Sequence, residues 1–133
     1  MALDKKIVKD SGLSVSYFRI LNIEVNYVYD ISTITIEEYI SEDYRNKAKK
    51  KAELLNTIAE LEQQSNTTKD FKLKESLIEK INTIYNSNKE LLANNYSTGI
   101  NKVELDYVPE DLSISNFYNI IKNLDLYKDS KFI

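Results

Sequence analysis

Cysteine and histidine are both absent from this chain. Without thiols there is no disulfide, no thiolate nucleophile and no sulfur ligand for zinc. Without imidazole there is no ordinary general base and no Ser–His couple. Glycine and proline are nearly absent too, with two Gly and one Pro. The glycines are isolated, so no Gly-rich loop exists to cradle a phosphate. No apolar run approaches the roughly 18 residues that cross a bilayer. The opening Met1-Ala2-Leu3-Asp4-Lys5-Lys6 lacks the apolar centre of a signal peptide, so synthesis in the cytoplasm is expected. A net charge of -3 gives no general attraction to nucleic acid or to an anionic membrane. These absences predict a chain with no metal site, no cofactor and no enzyme activity, with neither nucleic acid nor membrane as a partner.

What is present is a chain of 133 residues, 42% hydrophobic, enough for one domain with a packed core. Residues 13–40 carry the organising pattern. Leu21, Ile23, Val25, Tyr27 and Tyr29 alternate with Asn22, Glu24, Asn26 and Val28, the period of a half-buried strand, and Leu13, Val15 and Tyr17 share their odd phase. Ile34, Ile36 and Ile40 sit on even positions, so the phase slips within residues 30–33, at a turn or a bulge. Strict alternation also breaks at Phe18-Arg19-Ile20-Leu21, which leaves one bent strand or two strands open. Asp10-Ser11-Gly12 predicts a turn between a short strand over 5–9 and one over 13–19.

From Ser41 the period changes. Ser41-Glu42-Asp43 suits a helix start, and Tyr44, Ala48, Ala52, Leu55, Ile58 and Leu61 form one helical stripe. Residues 63–69 are polar and predict a loop. A second helix begins near Asp70 with two apolar rows: Phe71, Ile78, Tyr85 and Leu92 repeat every seven residues, and Leu77, Ile84 and Leu91 repeat beside them. Lys74 and Asn88 interrupt the seam of this arm. The two arms read as an αα-hairpin, an excursion from the sheet. Val103, Leu105 and Tyr107 then predict a strand that Pro109 stops, and Ser113 caps a last helix with one wide apolar face.

The expected fold class is therefore α+β: a small antiparallel β-sheet with a C-terminal amphipathic helix and an inserted long αα-hairpin. Its layout is a single domain over 1–133. Residues 1–42 and 97–112 form the sheet, 43–96 the hairpin and 113–125 the closing helix.

Arg45, Lys47, Lys49, Lys50 and Lys51 form the basic cluster, but consecutive lysines wrap around a helix and read as a solvated face. Glu37 and Glu38 are neighbours on a strand, point to opposite faces and cannot share a proton. Ten tyrosines are the anomaly of composition. Tyr supplies broad, rigid, amphipathic contact area. Tyr17, Tyr27, Tyr107 and Tyr118 read as core or sheet-face residues at the expected phase. For Tyr39, Tyr44, Tyr96 and Tyr127, near element ends, interface and plain packing both stay open. One apolar row of the second arm can face the first arm, and the other needs another cover. Leu77, Ile84 and Leu91 are the interface candidates there, with Ile84 and Leu91 expected between molecules. Phe132 at the end of a polar tail is a further docking candidate.

Both ends of the chain resemble a family of small tail-region proteins of bacteriophages and phage-tail-like particles of low-G+C Gram-positive bacteria. The first match is Met1-Ala2-Leu3-Asp4-Lys5-Lys6-Ile7 followed by Ser11-Gly12-Leu13-Ser14-Val15-Ser16-Tyr17-Phe18-Arg19-Ile20, with Phe18 where His is usual. The second runs over 113–130, above all Asn123-Leu124-Asp125-Leu126-Tyr127-Lys128-Asp129. The matched ends cover a little under half the chain. Residues 45–96 depart from the family, whose typical members join sheet to last strand briefly. The resemblance implies a structural part of a tail, in the baseplate or fibre-attachment region, located in the virion. Its implied partners are other tail or baseplate proteins, the tail fibre among the candidates; a homo-oligomer is expected separately, from the uncovered apolar row of the second arm.

Overall fold

A computed structural model describes residues 1–133. The protein is α+β, with a five-stranded antiparallel sheet in the order β4-β3-β2-β1-β5 and four helices. The strands are β1 (Leu3–Val8), β2 (Ser14–Asn26), β3 (Ile31–Tyr39), β4 (Ser97–Leu105) and β5 (Lys131–Phe132). The helices are α1 (Glu42–Thr67), α2 (Phe71–Ser87), α3 (Lys89–Ala93) and α4 (Ile114–Lys122). The chain divides into two compact units, Met1–Arg45 with Ser97–Ile133, and Asn46–Tyr96.

The first unit holds the sheet. Gly12, at φ 87°, makes the β1–β2 turn that an L-side chain would strain. β2 is one long strand, and its core phase changes twice. Val15 is buried, then Phe18 and Ile20, then Ile23 and Val25 face the core. The second change sits where Ile20 pairs with Ile36 but Asn22 pairs with Thr35, so Leu21 is an extra residue in a bulge. Leu21 is thereby turned outward, against the odd phase expected of it, and Leu13 in the preceding turn is exposed as well.

The anticipated slip near 30–33 proves to be a four-residue turn one step earlier. Asn26 pairs with Ile31, and Asn26 Oδ1 accepts from the amides of Val28 (3.0 Å) and Tyr29 (3.2 Å). Asp30 follows at φ 54°. This side-chain turn ends the strand at Asn26, so Tyr27 is not a sheet-face residue. Tyr107 likewise lies past the end of β4 and is exposed.

Ile34 and Ile36 of β3, Val15, Phe18 and Ile20 of β2, Leu3 and Leu105 form the sheet side of the core. Phe117, Tyr118 and Ile121 of α4 cover them. Each such side chain contributes about 1.5–3 kcal/mol through burial. Ser113 Oγ accepts from the amide of Asn116 and caps α4, which ends at Lys122, short of the expected 125. The hydroxyl of Tyr118 accepts from the amide of Ile20 at 2.9 Å. That amide lies two residues beyond Phe18, the last β2 residue paired with β1, so the phenol replaces a missing strand.

The C-terminal tail has an unexpected place. Phe132 pairs with Leu3, and Ala2 and Ile133 exchange two backbone bonds of 3.0 Å. The last residues thus close the outer edge of β1.

In the second unit, Ile58 of α1 and Leu77 and Ile81 of α2 are buried. A groove of about 660 Å³ is lined by Thr57 and Leu61 of α1 and by Ser76, Glu79, Thr83 and Ile84 of α2. α1 runs to Thr67, through most of the segment expected as a loop. No Gly or Pro breaks it, and Thr67 Oγ1 bonds back to the Gln63 carbonyl. Asp70 then caps α2 by accepting from the amides of Lys72 and Leu73. The second arm is interrupted at Asn88, whose φ of -130° is not helical. Its Nδ2 donates to the Ile84 carbonyl at 2.9 Å.

Candidate docking surfaces

Two polar arrangements in the sheet unit contain ionisable groups. On the core face, Glu38 is 2% exposed and follows the phase of Ile34 and Ile36. Lys9 Nζ reaches Oε1 and Oε2 of this carboxylate at 2.6 Å each. Thr98 Oγ1 donates to the Glu38 carbonyl at 2.9 Å. Tyr127 is fully buried nearby, edge-on to Phe18 with ring centroids 5.2 Å apart, and its hydroxyl accepts from Asn101 Nδ2 at 2.9 Å. Burial pushes its phenol pKa up. With both carboxylate oxygens held by one amine, this cluster clamps the ends of β1, β3 and β4 together.

On the opposite face, Arg19 pairs with Glu37 at 3.6 Å, and Tyr17 and Tyr39 meet edge-on at 6.1 Å. Arg45 lies 5.8 Å from the Tyr39 ring centroid. Burial first, then the hydrogen bond to Glu37 and its negative charge, push the Tyr39 phenol up to about 12. No three His, Cys, Asp or Glu side chains come together as a metal-binding group, and no helix is long and apolar enough to cross a membrane.

The expected interface residues fall into different places. Tyr127 and Tyr39 are buried within the sheet unit, and Leu77 within the helical unit, so none offers surface to a partner. Tyr39 is covered by Tyr17 and Arg45 on the face opposite the core, Tyr127 packs from a turn against Phe18, and helical phase turns Leu77 inward, which corrects the interface reading for these three. Tyr96 is buried as well. Tyr44 is half-buried, Ile84 lines the groove beside α1, and Leu91 is half-buried in α3. Phe132 gives its backbone to β1 in its own sheet, although its ring stays partly exposed with Lys122 Nζ 4.5 Å from the centroid.

The exposed apolar surface lies elsewhere. In the β2–β3 turn, Tyr27 is 69% exposed, Val28 86% and Tyr29 74%. The two bonds to Asn26 Oδ1 hold this turn in place, so it presents its side chains on a fixed backbone. On α2 the exposed row is Phe71 (72%), Ile78 (43%) and Tyr85 (42%), the seven-residue repeat that ran beside Leu77 and Ile84. Tyr85 continues with Lys89, Leu92 and Ala93 around a shallow apolar hollow of about 420 Å³. The double stripe of the second arm signalled that one row would be uncovered. Which row was decided by the packing of Leu77 and Ile81. For the turn, the signal was Asn26 followed four residues later by Asp30.

No family model, no curated protein and no solved structure matches this chain.

Proposed function

We propose that the protein is a structural component of a bacteriophage tail or phage-tail-like particle, in the baseplate or fibre-attachment region, and that it acts by docking on other proteins. In this reading α1 and α2 are an αα-hairpin inserted into the sheet unit, and α4 is the amphipathic helix that closes the sheet. The hairpin is an extra contact arm. The observation that carries the docking role is the pair of exposed apolar surfaces, the Tyr27-Val28-Tyr29 turn and the Phe71, Ile78, Tyr85 row. Aromatic side chains on a fixed backbone cost little entropy on binding and bury large areas. The tail setting rests on the resemblance of the two chain ends. Other tail or baseplate proteins, the tail fibre among them, are the partners this reading names.

The second reading is a non-virion accessory protein, such as a fibre-assembly chaperone or an inhibitor of a host enzyme. The same exposed turn suits it. Quantitative mass spectrometry of purified particles separates the two. A fixed copy number per particle is expected. Absence from particles, with recovery from lysate on a fibre protein or a host enzyme, would replace the first reading with the second.

A further inference from the structure

The outer edge of β4 is unpaired in the sheet order. In an antiparallel ladder, alternate residues turn both backbone groups to the same side. Ile20 sends its amide away from β3, to Tyr118, so Ile36 opposite it turns toward β4, where its partner is Asn101. Asn101, Val103 and Leu105 therefore bond to β3, and Ile100, Lys102 and Glu104 direct their N–H and C=O groups outward.

We propose that this edge pairs with the same edge of a second copy, antiparallel about a two-fold axis at Val103, so that two sheets join into one. The charges on β4 select this register. Centring on Val103 sets Lys102 opposite Glu104 of the other copy twice over. Centring on Lys102 opposes Lys102 to itself; centring on Glu104 opposes Glu104 to itself and can pair Lys102 only with Asp106, which lies beyond the end of β4; centring on Leu105 opposes Glu104 to Asp106. Centring on Asn101 makes no ion pair. Half-step registers would face an outward-bonding residue with an inward-bonding one. Opposite charges directly across a strand pair favour it and like charges disfavour it. A second feature of the edge agrees. Val103, Ile120 and Leu124 are only partly buried, and a groove of about 620 Å³ runs between Glu104–Tyr107 and Ile120–Leu124. A joined sheet covers that groove. Few of the devices that blunt an edge are present: β4 has no proline, and its irregularity lies at Thr98, away from Val103. The inference is independent of the tail reading.

Charge reversal on the full chain tests it, read by sedimentation velocity over a concentration series. The unmutated chain is expected to dimerise. K102E places Glu against Glu and E104K places Lys against Lys, and each is expected to weaken dimerisation about tenfold or more. The double reversal K102E/E104K restores it. An equimolar mixture of the two single variants forms a heterodimer, because both its cross-strand pairs are again opposite in charge. Lys102 and Glu104 are exposed, and circular dichroism verifies that each variant keeps the fold. A monomeric unmutated chain at every concentration overturns the proposal. So do single variants that dimerise as well as the unmutated chain, or a mixture that stays monomeric.

Discussion

A carboxylate among isoleucines is stable only while its counter-charge is in place. Glu38 is 2% exposed and Lys9 is its ion-pair partner. Lys9→Met is expected to destabilise the sheet unit by about 1–3 kcal/mol, less than for a fully buried pair because Lys9 is partly solvated. Adding Glu38→Gln should recover part of that loss, since an amide is cheaper to bury than an unpaired charge. Urea denaturation of the two single variants and the double variant measures this, and equal, additive losses would rule out the coupling. Tyr39 supplies a second residue-scale expectation. Its folded pKa of about 12 exceeds the ordinary 10.0, so the native state favours the protonated phenol. This stabilisation is complete below pH 10 and is lost as pH rises from 10 toward 12. Tyr39→Phe should remove that part of the alkaline stability loss, and should delete one late-titrating phenol from the ultraviolet absorbance titration.

At the scale of elements, α2 depends on its cap. Asp70 Oδ1 accepts from Lys72 N at 3.0 Å and from Leu73 N at 3.3 Å, and substitution by Ala should cost about 1 kcal/mol. Because thermal unfolding of the two units can be separate, far-ultraviolet circular dichroism at the helix minimum is the measurement to follow. An unchanged melt for Asp70→Ala would contradict the capping role. Much of the element order was legible in advance, because period and cap chemistry are local: β1 and its Gly12 turn, the change to helix after Ser41, the start near Asp70 and the Ser113 cap. What was not legible depended on partners distant in sequence. The bulge at Leu21 is visible only against β3. The pairing of Phe132 with Leu3 spans nearly the whole chain, and a two-residue strand leaves no period. The same reason hid the candidate surfaces. Tyr127 lies near a chain end yet fills the core against Phe18, and the more exposed of the two apolar rows on α2 is the one left over once Leu77 and Ile81 are buried.

For the whole molecule, the chain leaves the sheet unit after Arg45 and returns at Ser97. Every residue of the main hydrophobic core lies outside the second unit. Replacing residues 47–95 by a short Gly/Ser linker should therefore leave a β-rich remainder that unfolds cooperatively. A remainder without a cooperative transition would mean that the sheet needs the helices to fold. Docking is the central claim for the intact protein, and it makes the exposed turn dispensable for folding but necessary for assembly. The most direct measurement is the copy number, in purified particles, of a chain carrying Tyr27→Ser, Val28→Ser and Tyr29→Ser, against that of the unmutated chain. The account predicts a fixed copy number for the unmutated chain and near-complete loss of the variant, with unchanged circular dichroism and thermal stability. Equal incorporation of the two chains, or absence of both, would contradict it.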